Sequence, residues 1–148
     1  MWKKIAYKWT ELLIDQLHLE SKKINVLEIG VFEGGSTIWL LENLFENPGS
    51  KLVAIDLFEE FLPGHDHENI FQENIEKSGK AKQVEIIKGD SCYSLAILNY
   101  EMIVKKEREL FDFIYIDGCH DARIVSRDAN SSWELLKEGG IMIFDDYE

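Results

Sequence analysis

Five times along this chain a short apolar run carries or ends in an acid: Glu28 within NVLEIG, Asp56 after LVAI, Asp90 after VEIIKG, Asp117 after FDFIYI, and Asp145-Asp146 after IMIF. Ser91 follows Asp90, and His120 stands three residues past Asp117. Carboxylates can accept from a diol, face a cationic ligand group or hold a divalent cation. A single Asp after a strand equally suits a turn or a helix cap. Five such positions together are poorly explained by turn chemistry alone.

The first acid opens a loop, Glu28-Ile29-Gly30-Val31-Phe32-Glu33-Gly34-Gly35-Ser36, that passes from an apolar run into a segment with helical spacing. Glycines at Gly30, Gly34 and Gly35 permit positive φ and close approach of backbone N–H groups. The first helical turn adds unpaired donors, with Ser36 or Thr37 placed to cap it. Asp56, at the end of the second run, occupies the position from which a carboxylate accepts from both hydroxyls of a ribose. The ligand class is therefore a nucleoside derivative. A dinucleotide loop requires G-x-G-x-x-G, but here Phe32 replaces the glycine that admits pyrophosphate. Glu33 adds a negative charge beside it, and both features favour a ligand with positive charge and no phosphate.

The elements that must position these groups alternate. An amphipathic N-terminal helix spans residues 1–22, with Ile5, Trp9, Leu12, Leu13 and Leu17 at helical spacing. After the first strand and its loop come a helix from Thr37 to Phe45, a strand from Lys51 to Asp56, and a helix from Glu68 to Lys77. A strand from Gln83 to Lys88 follows, then a helix from Cys92 to about Glu107 and a strand from Phe111 to Asp117. A last helix carries Ala122, Val125, Ala129, Trp133 and Leu136 on one face, Glu138-Gly139-Gly140 stops it, and Ile141 to Phe144 is the fifth strand. Strands that are nearly continuous apolar runs, alternating with helices, predict a parallel sheet covered on both faces. In such sheets ligands bind beyond the carboxyl ends of the strands, where the acids fall.

The 148 residues fit one domain, and 45% hydrophobic content supplies a core. Sixteen basic against 28 acidic residues give a net charge of -12, which repels nucleic acid and anionic membranes. The N-terminus lacks an unbroken apolar segment, so no signal peptide or membrane span is expected. Cys92 and Cys119 are far apart, as reduced thiols of a cytoplasmic protein would be. His65 and His67 form an H-x-H pair in a Pro-Gly loop, a spacing that can bind metal but is more often solvated. Phe58, Phe61 and Leu62 either cover a ligand base or join the core. The four tryptophans, Trp2, Trp9, Trp39 and Trp133, lie on helical faces and read as packing.

The E-x-G-x-x-x-G-G-S-T loop, the acid in AIDLF, the GDS after strand three and the stretch FDFIYIDGCHDARIVSRDANSSWELLKEGGIMIFDD together resemble the class I S-adenosylmethionine-dependent methyltransferases. Within these the chain is most similar to the methyltransferase domain 24 group, which includes macrocin-type sugar O-methyltransferases. The resemblance runs from about Lys23 to the end, and departs from the family where Ala122 replaces an aromatic residue. It implies a Rossmann-like doubly wound α/β fold, five parallel strands in the order 3-2-1-4-5. It implies S-adenosylmethionine as cofactor, its methionine part on Glu28, Gly30, Phe32, Glu33, Gly34 and Ser36, its ribose on Asp56, and its adenine side on Asp90 and Ser91.

By the same resemblance Asp117, Asp145 and Asp146 correspond to acids that bind a divalent cation in metal-dependent members, and an all-oxygen set suits Mg²⁺. Asp117 and His120 are then the catalytic pair, with His120 as general base, since an imidazole can take a hydroxyl proton at neutral pH. The implied activity is O-methylation of a small, sugar-like molecule. An inactive nucleoside-cofactor scaffold and, behind it, a NAD-binding oxidoreductase are the alternatives. A complete class I fold adds a helix and antiparallel strands after strand five, whereas this chain stops at Glu148. Strand five then becomes a hydrophobic edge that invites a homodimer.

Overall fold

The computed structural model describes residues 2–60 and 63–145, with side chains from residue 6 onward. Five strands, β1 (Asn25–Ile29), β2 (Lys51–Asp56), β3 (Val84–Lys88), β4 (Phe111–Ile116) and β5 (Leu136–Phe144), form one sheet in the order β3-β2-β1-β4-β5. All four pairings are parallel. The expected strand order and direction are thus observed. Five α-helices accompany the sheet: α1 (Trp2–Trp9), α2 (Gly35–Leu44), α3 (His67–Lys77), α4 (Ser91–Asn99) and α5 (Ala122–Trp133).

Alternation along the central strands feeds two cores. Val26, Leu52, Ala54, Phe113 and Tyr115 meet Trp9, Leu13, Leu40, Leu41, Phe71 and Ile75 from the N-terminal segment, α2 and α3. Leu27, Val53, Ile55, Ile114 and Ile116 point the other way, onto Leu95, Leu98 and Met102 from α4 and the turn after it. That is the pattern of strands buried on both faces. Truncating any of the buried Leu, Ile or Phe side chains among these to Ala would cost about 2–5 kcal/mol.

Three elements differ from the sequence reading. The single helix expected over residues 1–22 is an α-helix only to Trp9; Thr10–Gln16 is π-helical, His18 turns left-handed at φ 51°, and Leu19–Ser21 is a 3₁₀ turn. Thr10 Oγ1 donates back to the Ala6 carbonyl at 2.9 Å, at the point where the helix widens. The helix after Asp90 likewise passes from α to π at Tyr100 and ends at Val104. The Glu138-Gly139-Gly140 stop lies inside β5, where Gly139 takes φ 76° and the pairing with β4 slips between Phe111 and Phe113. The glycines admit an irregular strand instead of ending the helix. Among the described residues no helix is long and apolar enough to cross a membrane.

Backbone bonds continue the ladder just past the strands. Gly30 N–H donates to Ile55 O (2.8 Å), Asp117 N–H to Ile29 O (2.8 Å), Asp145 N–H to Ile116 O (3.1 Å) and Gly89 N–H to Asp56 O (2.9 Å). Each strand therefore presents its acid at one common rim.

Candidate active site

The β1–α2 loop is fixed at both its glycines by the protein itself. A Cβ on Gly30 (φ 84°) would sit 2.3 Å from the Asp117 carbonyl oxygen, and one on Gly34 (φ 89°) 2.9 Å from the Phe71 ring. The sequence reading assigned these glycines to backbone approach by a ligand; in the structure they let the loop seat against β4 and α3. Gly34 is the N-cap of α2, so Ser36 and Thr37 do not fill the capping role expected of them. Thr37 instead donates its hydroxyl to Glu28 Oε2 at 2.6 Å inside the protein.

Glu28 is wholly buried, and its Oε1 has no hydrogen-bond partner among the described residues. Burial pushes its carboxyl up to about 7; the Ser36 and Thr37 hydroxyls oppose this, while Asp117 and Asp56 add to it by like-charge repulsion. Asp56 organises the loop rather than projecting freely. Its Oδ2 accepts from the Val31 and Phe32 amides at 2.7 and 2.9 Å, and its Oδ1 from Phe58 N–H at 2.7 Å. A carboxylate offers about four acceptor positions, so about one remains for a ligand hydroxyl.

Beyond β4 and β5 lies a cavity of about 450 Å³ lined by Asp117, His120, Val125, Ser126, Phe144 and Asp145. Tyr115 donates its hydroxyl to Asp117 Oδ2 at 3.1 Å and stacks edge-on with Trp9 beneath. Burial drives the Tyr115 hydroxyl upward, with Asp117 and then Asp145 adding to the shift, so it stays a proton donor. The two carboxylates hence face common space. Asp90 caps α4 through Cys92 N–H at 2.8 Å. Ser91 donates to Asp128 at 2.8 Å and accepts from Arg127 at 2.9 Å.

The rim thus joins a glycine loop, a strand-two acid and an acid-lined cavity on a 3-2-1-4-5 sheet. A family profile described as a methyltransferase domain matches residues 27–147 of this sequence. The chain belongs to this methyltransferase-domain family. Within it the chain is a class I S-adenosylmethionine-dependent methyltransferase domain.

An uncharacterized protein of Acanthamoeba polyphaga mimivirus is 30% identical to the methyltransferase domain over 129 residues, 87% of this chain and 54% of the relative. The chain spans about half the length of the curated relatives it matches. Among solved structures, the O-methyltransferase from Bacillus cereus in complex with S-adenosylhomocysteine aligns at TM-score 0.66 and 24% identity, over 97% of this chain and 74% of that one. The O-methyltransferase TomG from Streptomyces achromogenes, in complex with S-adenosylmethionine, aligns at TM-score 0.69 and 20% identity, over 97% and 63%. At these identities the two structures bear on the fold.

The methyltransferase domain brings the sequence-assigned residues together unequally. Glu28, Gly30, Phe32, Glu33, Gly34, Ser36 and Asp56 surround one loop; Asp117, His120 and Asp145 share the cavity; Asp90 and Ser91 lie at the start of α4. Asp146, Phe61 and Leu62 lie outside the described residues. Phe58 packs against Phe71, as a core residue would. Trp9 is buried against Trp39, Phe113 and Tyr115, but Trp133 is 64% exposed and is not the packing residue its helical position suggested. Sequence reasoning missed the Ser91–Arg127–Asp128 lock between α4 and α5, whose spacing carried no signal. The H-x-H pair, expected to be solvated, meets Glu33 Oε1 through His65 and His67, at 2.7 and 3.1 Å, and His67 is buried.

Proposed function

We propose that this chain transfers a methyl group from S-adenosylmethionine to a hydroxyl of a small, sugar-like acceptor, with a divalent cation assisting at the ends of β4 and β5. The observation that carries the reading is the meeting of two acid sets at one rim: Glu28 and Asp56 around the glycine loop, Asp117 and Asp145 around the cavity. Like charges held this close favour a cationic ligand. Bound there, S-adenosylmethionine would supply a methyl group on a positively charged sulfur that leaves as a neutral thioether.

Glu28, with the loop from Gly30 to Ser36, would hold the charged methionine end, Asp56 the ribose, and Asp90 with Ser91 the adenine side. His120 is exposed at the cavity, where an acceptor hydroxyl can reach it, and would take the hydroxyl proton on an imidazole nitrogen as the oxygen bonds to the methyl carbon. Tyr115 would keep Asp117 oriented through its hydroxyl. The donor chemistry fits a hard cation: Asp117 and Asp145 offer oxygens to one cavity, with Asp146 as the third acid. A Mg²⁺ ion held by them would lower the pKa of the acceptor hydroxyl.

The test is formation of S-adenosylhomocysteine from S-adenosylmethionine against a panel of sugar and phenolic hydroxyl acceptors, with Mg²⁺ and with chelator. Turnover that needs both acceptor and Mg²⁺ is expected. Calorimetric binding of S-adenosylmethionine with no turnover on any acceptor would leave the cofactor-binding scaffold, and binding of NAD in its place would overturn the reading. Self-association as a homodimer completes the proposal; a monomer by light scattering at high concentration would remove that part.

A further inference from the structure

The cluster at Glu33 is chemically unlike the rest of the rim. Glu33 Oε1 lies 2.7 Å from His65 Nε2 and 3.1 Å from His67 Nδ1, and the three donor atoms all fall within 4.8 Å of one another. They come from two separate segments, the β1–α2 loop and the turn leading into α3. His67 is 4% exposed, and its ring is held between Phe32 and His65, with centroids 4.4 and 4.6 Å away. His65 and Glu33 are partly open, leaving access for an ion and for water as a fourth ligand.

The geometry points to a binding site for a divalent transition-metal ion formed by Glu33, His65 and His67, with Zn²⁺ as the matching chemistry. Two imidazoles and one carboxylate are a ligand set that Zn²⁺ takes with water, at about 2.0–2.2 Å from each donor. Donors bonded to a single central ion at those lengths lie about 3–4 Å apart, so the side chains need move only by a fraction of an ångström to about one. Imidazole-rich sites suit Zn²⁺, Cu²⁺ or Ni²⁺, whereas carboxylate and water sites suit Mg²⁺. This site is therefore distinct in kind from Asp117 and Asp145, and it does not depend on the methyl-transfer reading. In the metal-free chain Glu33 serves as shared acceptor for the two rings. The ion would take the place of the shared proton bonds and tie the glycine loop to the start of α3, releasing protons as it binds.

The experiment is calorimetric titration of the whole chain with Zn²⁺ and separately with Mg²⁺, with Co²⁺ absorption as a spectroscopic report of coordination. One Zn²⁺ per chain is expected. His65→Gln and Glu33→Gln, both at partly exposed positions, should each weaken it by about tenfold or more, while Asp117→Asn leaves it unchanged. Circular dichroism of each variant verifies folding. Zn²⁺ binding that survives in both His65→Gln and Glu33→Gln would overturn the proposal, and loss in Asp117→Asn would do so by assigning the ion to the cavity with Cys119 and His120. So would Zn²⁺ binding no tighter than Mg²⁺.

Discussion

The two rims of the sheet use charge in opposite ways. At the amino ends of the strands acids and bases are matched: Lys23 with Glu109 at 2.8 Å, Lys137 with Asp112 at 2.8 Å, and Arg108 with Glu85 at 2.6 Å. Asp112 also accepts from the Asn25 amide, so these contacts tie β1, β4 and β5 together. A cavity of about 390 Å³ lies there too, lined by two of these pairs, Lys23–Glu109 and Arg108–Glu85, together with Lys51 and Lys82. At the carboxyl ends Glu28, Asp56, Asp117 and Asp145 are gathered, and burial with mutual repulsion raises Glu28. One rim fastens the strands, and the other stores unfavourable electrostatics that a cationic ligand would relieve. A cavity alone would not tell the two apart; the charge pairing does.

Substitutions at the two rims can break this contrast. The largest effect is expected for His120→Ala, which should lower methyl transfer by about 10²–10⁴-fold while sparing cofactor affinity in calorimetry; unchanged turnover would remove His120 from the chemistry. Gly30→Ala should destabilise the fold by more than about 3 kcal/mol, read as a fall in thermal midpoint, because the new methyl group would meet β4 backbone at a position with positive φ.

Glu28→Gln tests the burial of this carboxyl, to which the neighbouring acids add, through pH. The folded carboxyl sits at about 7 against 4.5 when free, so the folded state binds more protons than the unfolded state between those values. Stability from this group is full below about 4.5 and is lost as pH rises through 7, by about 3 kcal/mol in all. Subtracting the pH profile of Glu28→Gln from that of the native chain should leave this decline, and a flat difference would refute it. The smallest effect belongs to the amino rim. Lys23→Ala removes an exposed pair and should cost less than about 1 kcal/mol, with cofactor binding unchanged.

Much of the fold was legible because its signals are local. Apolar runs of strand length alternated with helical spacing, and the positions of Asp56, Asp117 and Asp145 followed from the ends of those runs. Boundaries failed where tertiary contact overrode local propensity: Trp9 and Leu13 are both buried in a helix that widens to π between them, and Gly139 is accommodated within an irregular β5. The cap assigned to Ser36 or Thr37 failed because a buried carboxylate nearby is a stronger demand on a hydroxyl than an exposed helix end.

The sequence by itself determined the parallel sheet and the rim at which acids collect. These depend on periodicity and on residue type, which a linear reading contains. Only the tertiary structure decided that Gly30 is reserved for the backbone just past β4, that Asp56 spends two acceptor positions on the β1–α2 loop and one on Phe58, and that Glu33 meets His65 and His67 across more than thirty residues of chain. Those facts depend on distances between segments remote in sequence, and no local pattern encodes such distances.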